Sequence, residues 1–321
     1  MDLIYTNKDR EDVGILKDYT FDLAFGTDEN DFELTLDPSS HCCESDCIIY
    51  IENTEYGGII DKINIITKDD KLVYKGRTWH GILASKVIEP DAGMAYLTVS
   101  GEANEVIGAV LERVGLTDLF ETTREHSGLI ISNYSFNRYT DAYTGLMKML
   151  STVSGKLQFS FESGKVILSA RPIVDYSQDE QFDSDLVEMD IEKTGNAVNH
   201  LICLGRGELE KREVIHLYVN PLGEIVKYQT YTGLKEITSV YDYSSVESLE
   251  ELENGGIEKL KEEAIEDKVQ MDFVTEEVRY DIGDIVGAKE ITTGIFAKEK
   301  ITKKIVTITQ GVVNIEYKVG E

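Results

Sequence analysis

The sequence has no long apolar run. No stretch of it approaches the roughly 20 consecutive apolar residues that a membrane-spanning helix requires, so no membrane anchor is expected. Residues 1–5 also lack the basic and apolar segments of a signal peptide, which predicts synthesis in a cytoplasm. Proline is scarce, with four among 321 residues, which argues against a disordered or collagen-like chain.

Basic residues are few relative to acidic ones. The chain has 32 lysines and arginines against 60 aspartates and glutamates, for a formal net charge of −28. A surface this acidic repels phosphate groups, so no specific nucleic-acid binding is expected. Two interpretations stay open at this point. The charge serves solubility, or part of it lines a path that DNA crosses without adhering.

The chain has four cysteines, Cys42, Cys43, Cys47 and Cys203, and three of them closely follow His41. One interpretation is a metal site formed by His41 and these three cysteines. The spacing differs, however, from the Cys-x-x-Cys pairs of structural zinc sites, and no second paired cluster is present. Partly buried free thiols are therefore favoured. A disulfide framework is not expected in a chain made in a cytoplasm.

Catalytic motifs are also missing. The five histidines do not form His-Glu-x-x-His and do not pair at metal-binding spacing; they are His41, His80, His126, His200 and His216. His200 and His216 lie in predicted strands, where we expect them to be ordinary wall residues. Residues 205–208 are glycine-rich but lack the marks of a P-loop or dinucleotide loop. The sequence thus predicts no enzyme, and no catalytic, cofactor-binding or metal-binding residue.

The abundance of acids leaves one alternative of a different class. Paired carboxylates would suit a carbohydrate-binding or glycan-cleaving protein, and with 60 acids such pairs are expected by chance. The acidic segments 28–31 and 179–185 have spacings that suit calcium. Neither carries the terminal glutamate of an EF-hand loop.

The first 92 residues show the pattern of a small β-barrel. Short stretches rich in branched and aromatic residues alternate with turn signals, at 19–25, 31–36, 48–51, 57–66 and 72–76. The barrel is predicted to close near Trp79. Residues 90–93, Pro-Asp-Ala-Gly, are typical of an exit linker.

Residues 93–180 are predicted to form an α+β domain with two helices and a hairpin. Apolar residues at helical spacing predict a helix over 101–115, with Ser100 as N-cap and Gly115 just past its end. A second helix is predicted over 141–153. Alternating strands at 157–161 and 166–169 with a polar turn between them predict the hairpin.

The remaining residues are divided between a second barrel and an insertion. Residues 181–220 together with 271–321 are predicted as the second β-barrel. Residues 221–270 are predicted as a small α/β insertion whose one helix, 245–267, breaks or kinks at Gly255 and Gly256.

The two β-rich ends show an internal repeat. Residues 46–74 and 283–317 share the same order of a short strand, a Thr/Gly turn, a long strand, a polar hairpin turn and a closing strand. Three chains in a ring would then present six similar barrels. Such a trimer could dock on a six-fold partner through quasi-equivalent contacts.

The order of segments resembles that of a known family. The best local pieces are 79–83 (Trp-His-Gly-Ile-Leu), 198–205 (Val-Asn-His-Leu-Ile-Cys-Leu-Gly) and 280–286 (Tyr-Asp-Ile-Gly-Asp-Ile-Val). With these in order, nearly the whole chain resembles the tail-hub, or tail-associated, proteins of long-tailed phages. These are relatives of the central hub of contractile baseplates.

The resemblance implies a β-rich α+β fold, with two small β-barrels and two α+β insertions, assembled as a homotrimer. Such a trimer encloses the DNA exit channel at the virion tail tip. It contacts a six-fold distal-tail or tube ring protein and the tape-measure protein. Many relatives continue into a fibre or a wall-degrading domain. Because this chain stops at Glu321, host binding is expected from separate fibre or receptor-binding proteins. A hub of a phage-derived injection machine or bacteriocin fits the same pattern.

Overall fold

A computed structural model describes residues 1–177, 181–183, 187, 189–193, 197–220, 224–246, 248–263, 267–275 and 279–320. The chain divides into two compact units. The first comprises Met1–Met189 with Gln270–Glu321, and the second comprises Asp190–Val269. The two ends of the sequence therefore belong to one unit.

Seven strands form the N-terminal part of the first unit. They are β1 (Leu3–Thr6), β2 (Asp12–Leu16), β3 (Thr20–Gly26), β4 (Asp31–Leu36), β5 (Ile48–Tyr50), β6 (Gly57–Ile66) and β7 (Lys71–Thr78). β3 and β4 bury every second residue, as the alternation in the sequence predicts. A short helix, α1 (Trp79–Ala84), follows β7 directly and is capped by the Thr78 hydroxyl, which accepts from the Gly81 amide.

The α+β segment follows α1. Its elements are β8 (Thr98–Glu102), α2 (Ala103–Arg113), β9 (Phe120–Thr122), β10 (Ile130–Ser135), α3 (Ala142–Ser151), β11 (Gly155–Glu162) and β12 (Lys165–Pro172). The apolar faces of α2 and α3 pack in one core with the β11-β12-β9 sheet. The two predicted helices and the predicted hairpin are thus present.

The start of α2 differs from the prediction. Ser100 lies in β8, and the N-cap is Glu102, whose carboxylate accepts from the Asn104 amide at 2.8 Å. The helix therefore begins later than expected, because β8 extends up to the cap residue. At the other end, Gly115 has a φ of +70°, the left-handed conformation predicted for the residue past the helix.

The rest of the chain contributes further strands and one helix. They are β13 (Gln181–Asp183), β14 (Met189–Lys193), β15 (His200–Leu204), β16 (Val214–Val219), β17 (Ile225–Val226), β18 (Thr238–Asp242), α4 (Leu249–Glu263), β19 (Asp267–Thr275), β20 (Ile285–Lys289), β21 (Phe296–Thr309) and β22 (Val312–Val319). Among the helices of the described ranges, none is both long and apolar enough to cross a membrane.

The second unit differs from the predicted division. The second barrel was predicted to include residues 181–220, but β15 and β16 lie in a four-stranded sheet of order β17-β16-β15-β18. One apolar core lies between this sheet and α4; it includes Leu201, Cys203 and Leu217 of the sheet and Leu252 and Leu260 of α4. The alternating pattern predicted β15 and β16 as strands but carries no information on which sheet a strand joins.

α4 also runs without interruption through the two glycines at which a break was predicted. A Cβ atom on Gly256 would lie only 3.0 Å from Leu217 Cδ1 and would also collide with the Cys203 sulfur. The glycine therefore permits the helix to lie close to the sheet, which is a packing role that helix propensity alone does not reveal.

The strands of both chain ends form one hydrogen-bonded sheet. Its order is β14-β19-β22-β21-β3-β4-β7-β6-β5-β1-β2, while β20 pairs with β21 and β13 pairs with β20. The strands that were predicted as two separate barrels are thus connected through the antiparallel pairing of β3 with β21.

Candidate assembly interface

The predicted repeat is present in the hydrogen bonding of the two chain ends. In the first copy, the Ile60 amide donates to the Cys47 carbonyl at 2.9 Å, which pins the long strand β6 to the residue just before β5. In the second copy, the Ile301 amide donates to the Asp284 carbonyl at 2.9 Å, which connects the long strand β21 to the residue just before β20. β5 with β6 therefore corresponds to β20 with β21.

A bulge follows at the same place in both copies. The register of β6 against β7 shifts between Ile60 and Lys62, and that of β21 against β22 shifts between Ile301 and Lys303. A bulge bends its strand and increases the local twist, so both long strands change direction at the equivalent residue.

Each copy has a buried tyrosine, Tyr74 in β7 and Tyr317 in β22, that hydrogen-bonds to the segment preceding the short strand, β5 or β20. The Tyr74 hydroxyl accepts from the Cys43 amide at 3.3 Å, and the Tyr317 hydroxyl donates to the Tyr280 carbonyl at 2.9 Å. Both rings are fully buried. Because they occupy matching register positions, the correspondence extends from β7 to β22.

The correspondence continues to one more strand in each copy. Lys75 of β7 lies opposite Glu33 of β4 and forms an ion pair with it. Lys318 of β22 lies opposite Asp272 of β19, with 3.4 Å between ammonium and carboxylate. Exposed pairs of this kind contribute little stability. They do show that β4 corresponds to β19.

The sheet therefore contains one series of strands twice. We call β3-β4-β7-β6 the first series and β14-β19-β22-β21 the second series, each in sheet order. The last strand of the second series, β21, pairs with the first strand of the first series, β3. We call this pairing, which runs from Lys303↔Gly26 to Thr309↔Thr20, the internal joint.

The internal joint is apolar on its core side. Val306 lies opposite Leu23, Ile308 lies opposite Phe21, and all four side chains are buried. On the other side, the Thr307 hydroxyl donates to the Asp22 carboxylate at 2.6 Å. At roughly 25 cal/mol per Å² of apolar surface, burial of such side chains is the main stabilising contribution of the joint.

One charged side chain also lies in this core. Lys304 is 1% exposed, and its ammonium lies 2.5 Å from the Glu55 carboxylate, over the rings of Tyr56 and Tyr317. Burial acts to lower the pKa of Lys304, but the Glu55 carboxylate and the two tyrosines outweigh it, so the pKa is raised. The side chain is therefore held charged inside the core by Glu55.

A buried histidine packs beside this ion pair. The His80 ring lies 3.8 Å from the centre of the Phe159 ring and 4.8 Å from that of Phe25. Its Nε2 atom is 3.6 Å from the Glu55 carboxylate. Burial, reinforced by the charge of Lys304, lowers the pKa of His80 to about 3, so the ring is neutral at neutral pH.

A second buried ion pair connects the α+β segment to the second series. The Lys156 ammonium of β11 lies 2.7 Å from the Asp281 carboxylate and 2.7 Å from that of Asp284, which is fully buried. Burial acts to lower the pKa of Lys156, but the two carboxylates raise it overall. Asp284 is the residue before β20, so this lysine fixes the start of the second copy of the repeat.

The cysteines near His41 lie in the segment that Tyr74 fixes. His41 Nδ1 is 2.8 Å from the Tyr74 hydroxyl, and the sulfurs of Cys42 and Cys43 are 3.4 Å apart. Burial raises the pKa of the Cys43 thiol. The four cysteines have free thiols, and no metal-binding group of three or more His, Cys, Asp or Glu residues occurs in the ranges described.

The structure brings together two histidines that the sequence leaves apart. His200 Nε2 lies 2.9 Å from His216 Nδ1, and His200 Nδ1 lies 2.9 Å from the Glu236 carboxylate. Tyr218, directly opposite His200, stacks on its ring at 4.3 Å. The pairing of β15 with β16 creates this cluster, so only the strand register could have predicted it.

Six carboxylates of the described residues have a shifted pKa, and in each it is lowered; they are Glu29, Asp37, Glu44, Glu102, Asp175 and Glu290. At Glu102, burial acts to raise the pKa, but hydrogen bonds from Ser127, Glu105 and Asn104 outweigh it. A general acid needs the opposite shift. Of the two acidic calcium candidates, much of 179–185 lies outside the described residues.

A surface cavity of about 580 Å³ beside β1 and β5 is lined by three carboxylates, Glu11, Asp12 and Glu52. The Tyr50 hydroxyl donates to Asp12 at 2.8 Å, so this carboxylate is occupied by the protein itself. The repeated strand series is therefore the better candidate for a functional surface.

Comparison with solved structures identifies the fold. A tail protein from Neisseria meningitidis MC58 matches with a TM-score of 0.55 at 14% identity, over 100% of this chain and 96% of that one. The 43 kDa tail protein of prophage MuSo2 from Shewanella oneidensis matches with a TM-score of 0.59 at 10% identity, over 99% and 98%. Prophage tail protein gp18 from Listeria monocytogenes EGD-e also has a TM-score of 0.59 and 10% identity, over 99% and 94%.

The chain has the fold of phage tail proteins. The resemblance drawn from the sequence is thus confirmed at the level of the fold, and the predicted β-rich α+β class is confirmed with it. No protein-family profile matches the sequence, and no curated protein matches it. The same fold is therefore carried here by a sequence that is at most 14% identical to those three proteins.

The ion pair of Lys304 with Glu55 gives a first prediction. Replacing Lys304→Met leaves the Glu55 carboxylate, whose side chain is only 17% exposed, without its partner, and should lower the free energy of unfolding by about 3 kcal/mol. The double variant Lys304→Met/Glu55→Gln should recover part of that loss. Chemical denaturation of the four proteins in a double-mutant cycle measures the coupling.

Lys303→Met serves as the matched control for this cycle. Lys303 is the adjacent residue and pairs with Glu29, which is more than half exposed, so its loss should cost less than about 1 kcal/mol. Equal losses for Lys303→Met and Lys304→Met would contradict the buried role of Lys304.

His80 gives a second prediction, for the dependence of stability on pH. Its pKa is about 3 in the folded chain against an ordinary value of 6.5, so the unfolded chain binds the proton first as pH falls. Folding stability should therefore decrease below about pH 6.5, by about 2 kcal/mol between pH 7 and pH 5. His80→Phe should remove this part of the slope, as followed by denaturation at each pH.

His126→Phe is the control, because His126 is mostly exposed. It should leave the slope between pH 7 and pH 5 nearly unchanged. If His80→Phe and the wild-type chain show the same slope, His80 is not buried as a neutral ring.

Proposed function

We propose that this chain is a structural subunit at the distal end of a phage or prophage tail. Three copies form a ring that adapts to the six-fold tail and encloses the DNA exit channel. The general tail role is supported by the solved tail proteins that share the fold over nearly their whole length. The hub of a phage-derived injection particle is the same physical object and falls under the same proposal.

The observation that carries the ring is the repeated strand series. Each chain holds two series of the same order, joined head to tail by the internal joint. Three chains then supply six series, so a trimer can contact a six-fold ring through six similar surfaces. A chain with a single series would have no such way to match six-fold symmetry with three copies.

Each series is proposed to curl into one barrel-like module. The bulges at Ile60 and Ile301 support this, because a bulge bends and twists a strand in the way that barrel closure requires. The first module is proposed to lie within residues 1–92, and the second within 181–193 and 271–321. The α+β segment at 93–180 and the part of the second unit that follows β14 are proposed to be the two insertions.

The partners follow from the proposed position. We infer contacts with a six-fold distal-tail or tube ring protein on one side and with the tape-measure protein in the channel, while separate fibre or receptor-binding proteins contact the host. A net charge of −28 supports a channel wall that repels DNA phosphates, so that DNA passes without adhering. The role is proposed to be non-enzymatic.

The proposed function makes a quantitative prediction for assembled particles. Three copies of this chain should be present for every six copies of the ring protein next to it. Absolute quantification of peptides from purified tails, with the tube protein as the internal standard, measures the ratio. Gold-labelled antibody against the second unit should decorate the distal tail end in electron micrographs.

Two results would overturn the proposal. One is a chain that is absent from purified particles although it is expressed during particle production. The other is a stoichiometry of six per ring, because six copies would present twelve series and remove the reason for the repeat.

A further inference from the structure

We propose that the outer half of β6, residues 62–66, is the surface on which a second copy of this chain docks. The second copy adds its β14 as a neighbouring strand, and so forms between chains the same joint that β21 and β3 form within one. The inference rests on the proposed ring and identifies the surface that builds it.

β6 has an open edge in its outer half. On one side it pairs with β7 along nearly its whole length. On the other side β5 covers only residues 57–59. Among the described residues, no strand pairs with residues 62–66 on that second side. An exposed strand edge of this kind is a template for adding another strand.

The matching edge of β21 is fully occupied. β22 covers one side of β21, while β20 pairs with residues 296–300 and β3 pairs with residues 303–309. Because β20 is short, it leaves the outer half of β21 free to pair with β3. β5 corresponds to β20 and is also short, so the outer half of β6 is likewise free to pair with another strand.

Ile65 shows that the core side of this edge is uncovered. It lies opposite Leu72, which is fully buried, so it points to the same side of the sheet, yet it is 59% exposed. Its counterpart in β21 is Val306, which is 0% exposed because Leu23 of β3 lies across from it. A strand paired with the outer half of β6 would cover Ile65 as β3 covers Val306.

The strand that fits is the counterpart of β3, which is β14. It is the last strand at one end of the sheet order, and among the described residues its outer side has no neighbouring strand. In the internal joint, the outer half of β21, which corresponds to β6, pairs with β3, which corresponds to β14. Pairing of β6 in one chain with β14 in the next would repeat this joint head to tail. A head-to-tail contact closes into a ring when the rotation between neighbouring chains allows it.

The charges of the two edges are complementary. At the end of the internal joint, Lys303 pairs with Glu29 of the loop that follows β3, at 2.6 Å. Its counterpart on the open edge, Lys62, is exposed and makes no ion pair with a described residue. β14 presents the exposed acids Asp190 and Glu192. A neighbouring β14 would therefore give Lys62 an acidic partner, as Glu29 does for Lys303.

The test measures the mass of the full chain in solution for two edge variants and a control. Ile65→Lys places a charge where the joint would bury an apolar side chain, and Lys62→Glu opposes the acids of β14. Both side chains are exposed in the single chain, so folding should persist, and thermal unfolding checks it. Ile130→Lys is the matched control, because Ile130 is a 55% exposed strand residue away from the edge.

The inference predicts that the wild-type chain and Ile130→Lys reach three times the chain mass of 36.1 kDa as concentration rises. Both edge variants should stay at one chain mass until the concentration is roughly 30-fold higher. A wild-type trimer that both edge variants also form would overturn the edge assignment and leave the ring intact. A wild-type chain that is monomeric or dimeric at every concentration would overturn the ring together with the edge.

Discussion

The pairing of β3 with β21 is the constraint from which the rest of the arrangement follows. Asp22 and Thr307, bonded across it, are 285 positions apart in the sequence. Bringing them together orders the whole chain between them, at a cost in entropy that the buried apolar residues of the joint must offset. Once it forms, the two ends of the chain become one sheet, and the second series stands beside the first.

The same pairing explains the polar groups in the core. Lys304 lies opposite Phe25 in the joint, and its ammonium has to find a carboxylate there because an unpaired buried charge is costly. Glu55 supplies it from the loop ahead of β6, and His80 of α1 packs beside Glu55 as a neutral ring. One buried pair thus connects the second series, the first series and the helix that follows it.

Local sequence patterns predicted many of the helices and strands. The features that they did not predict depend on contacts between residues far apart in the sequence. Alternation predicted β3, β4 and the hairpin of β11 and β12, and helical spacing predicted α2 and α3. The matching order of segments predicted the repeat. Lys304, in contrast, lies in a lysine-rich stretch whose composition is typical of an exposed surface, although its side chain is buried. β15 and β16 belong to a different sheet from the one predicted. Register and sheet membership depend on distant partners, which a single sequence does not show.

The proposed ring uses one kind of joint twice, once inside each chain and once between chains. An electron cryomicroscopy map of the isolated ring, at a resolution that separates strands, would show this arrangement. We expect six similar joints around the axis, three of them between chains, with β14 of one copy beside residues 62–66 of the next. A ring in which that edge of β6 faces solvent, while other surfaces hold the copies together, would contradict it.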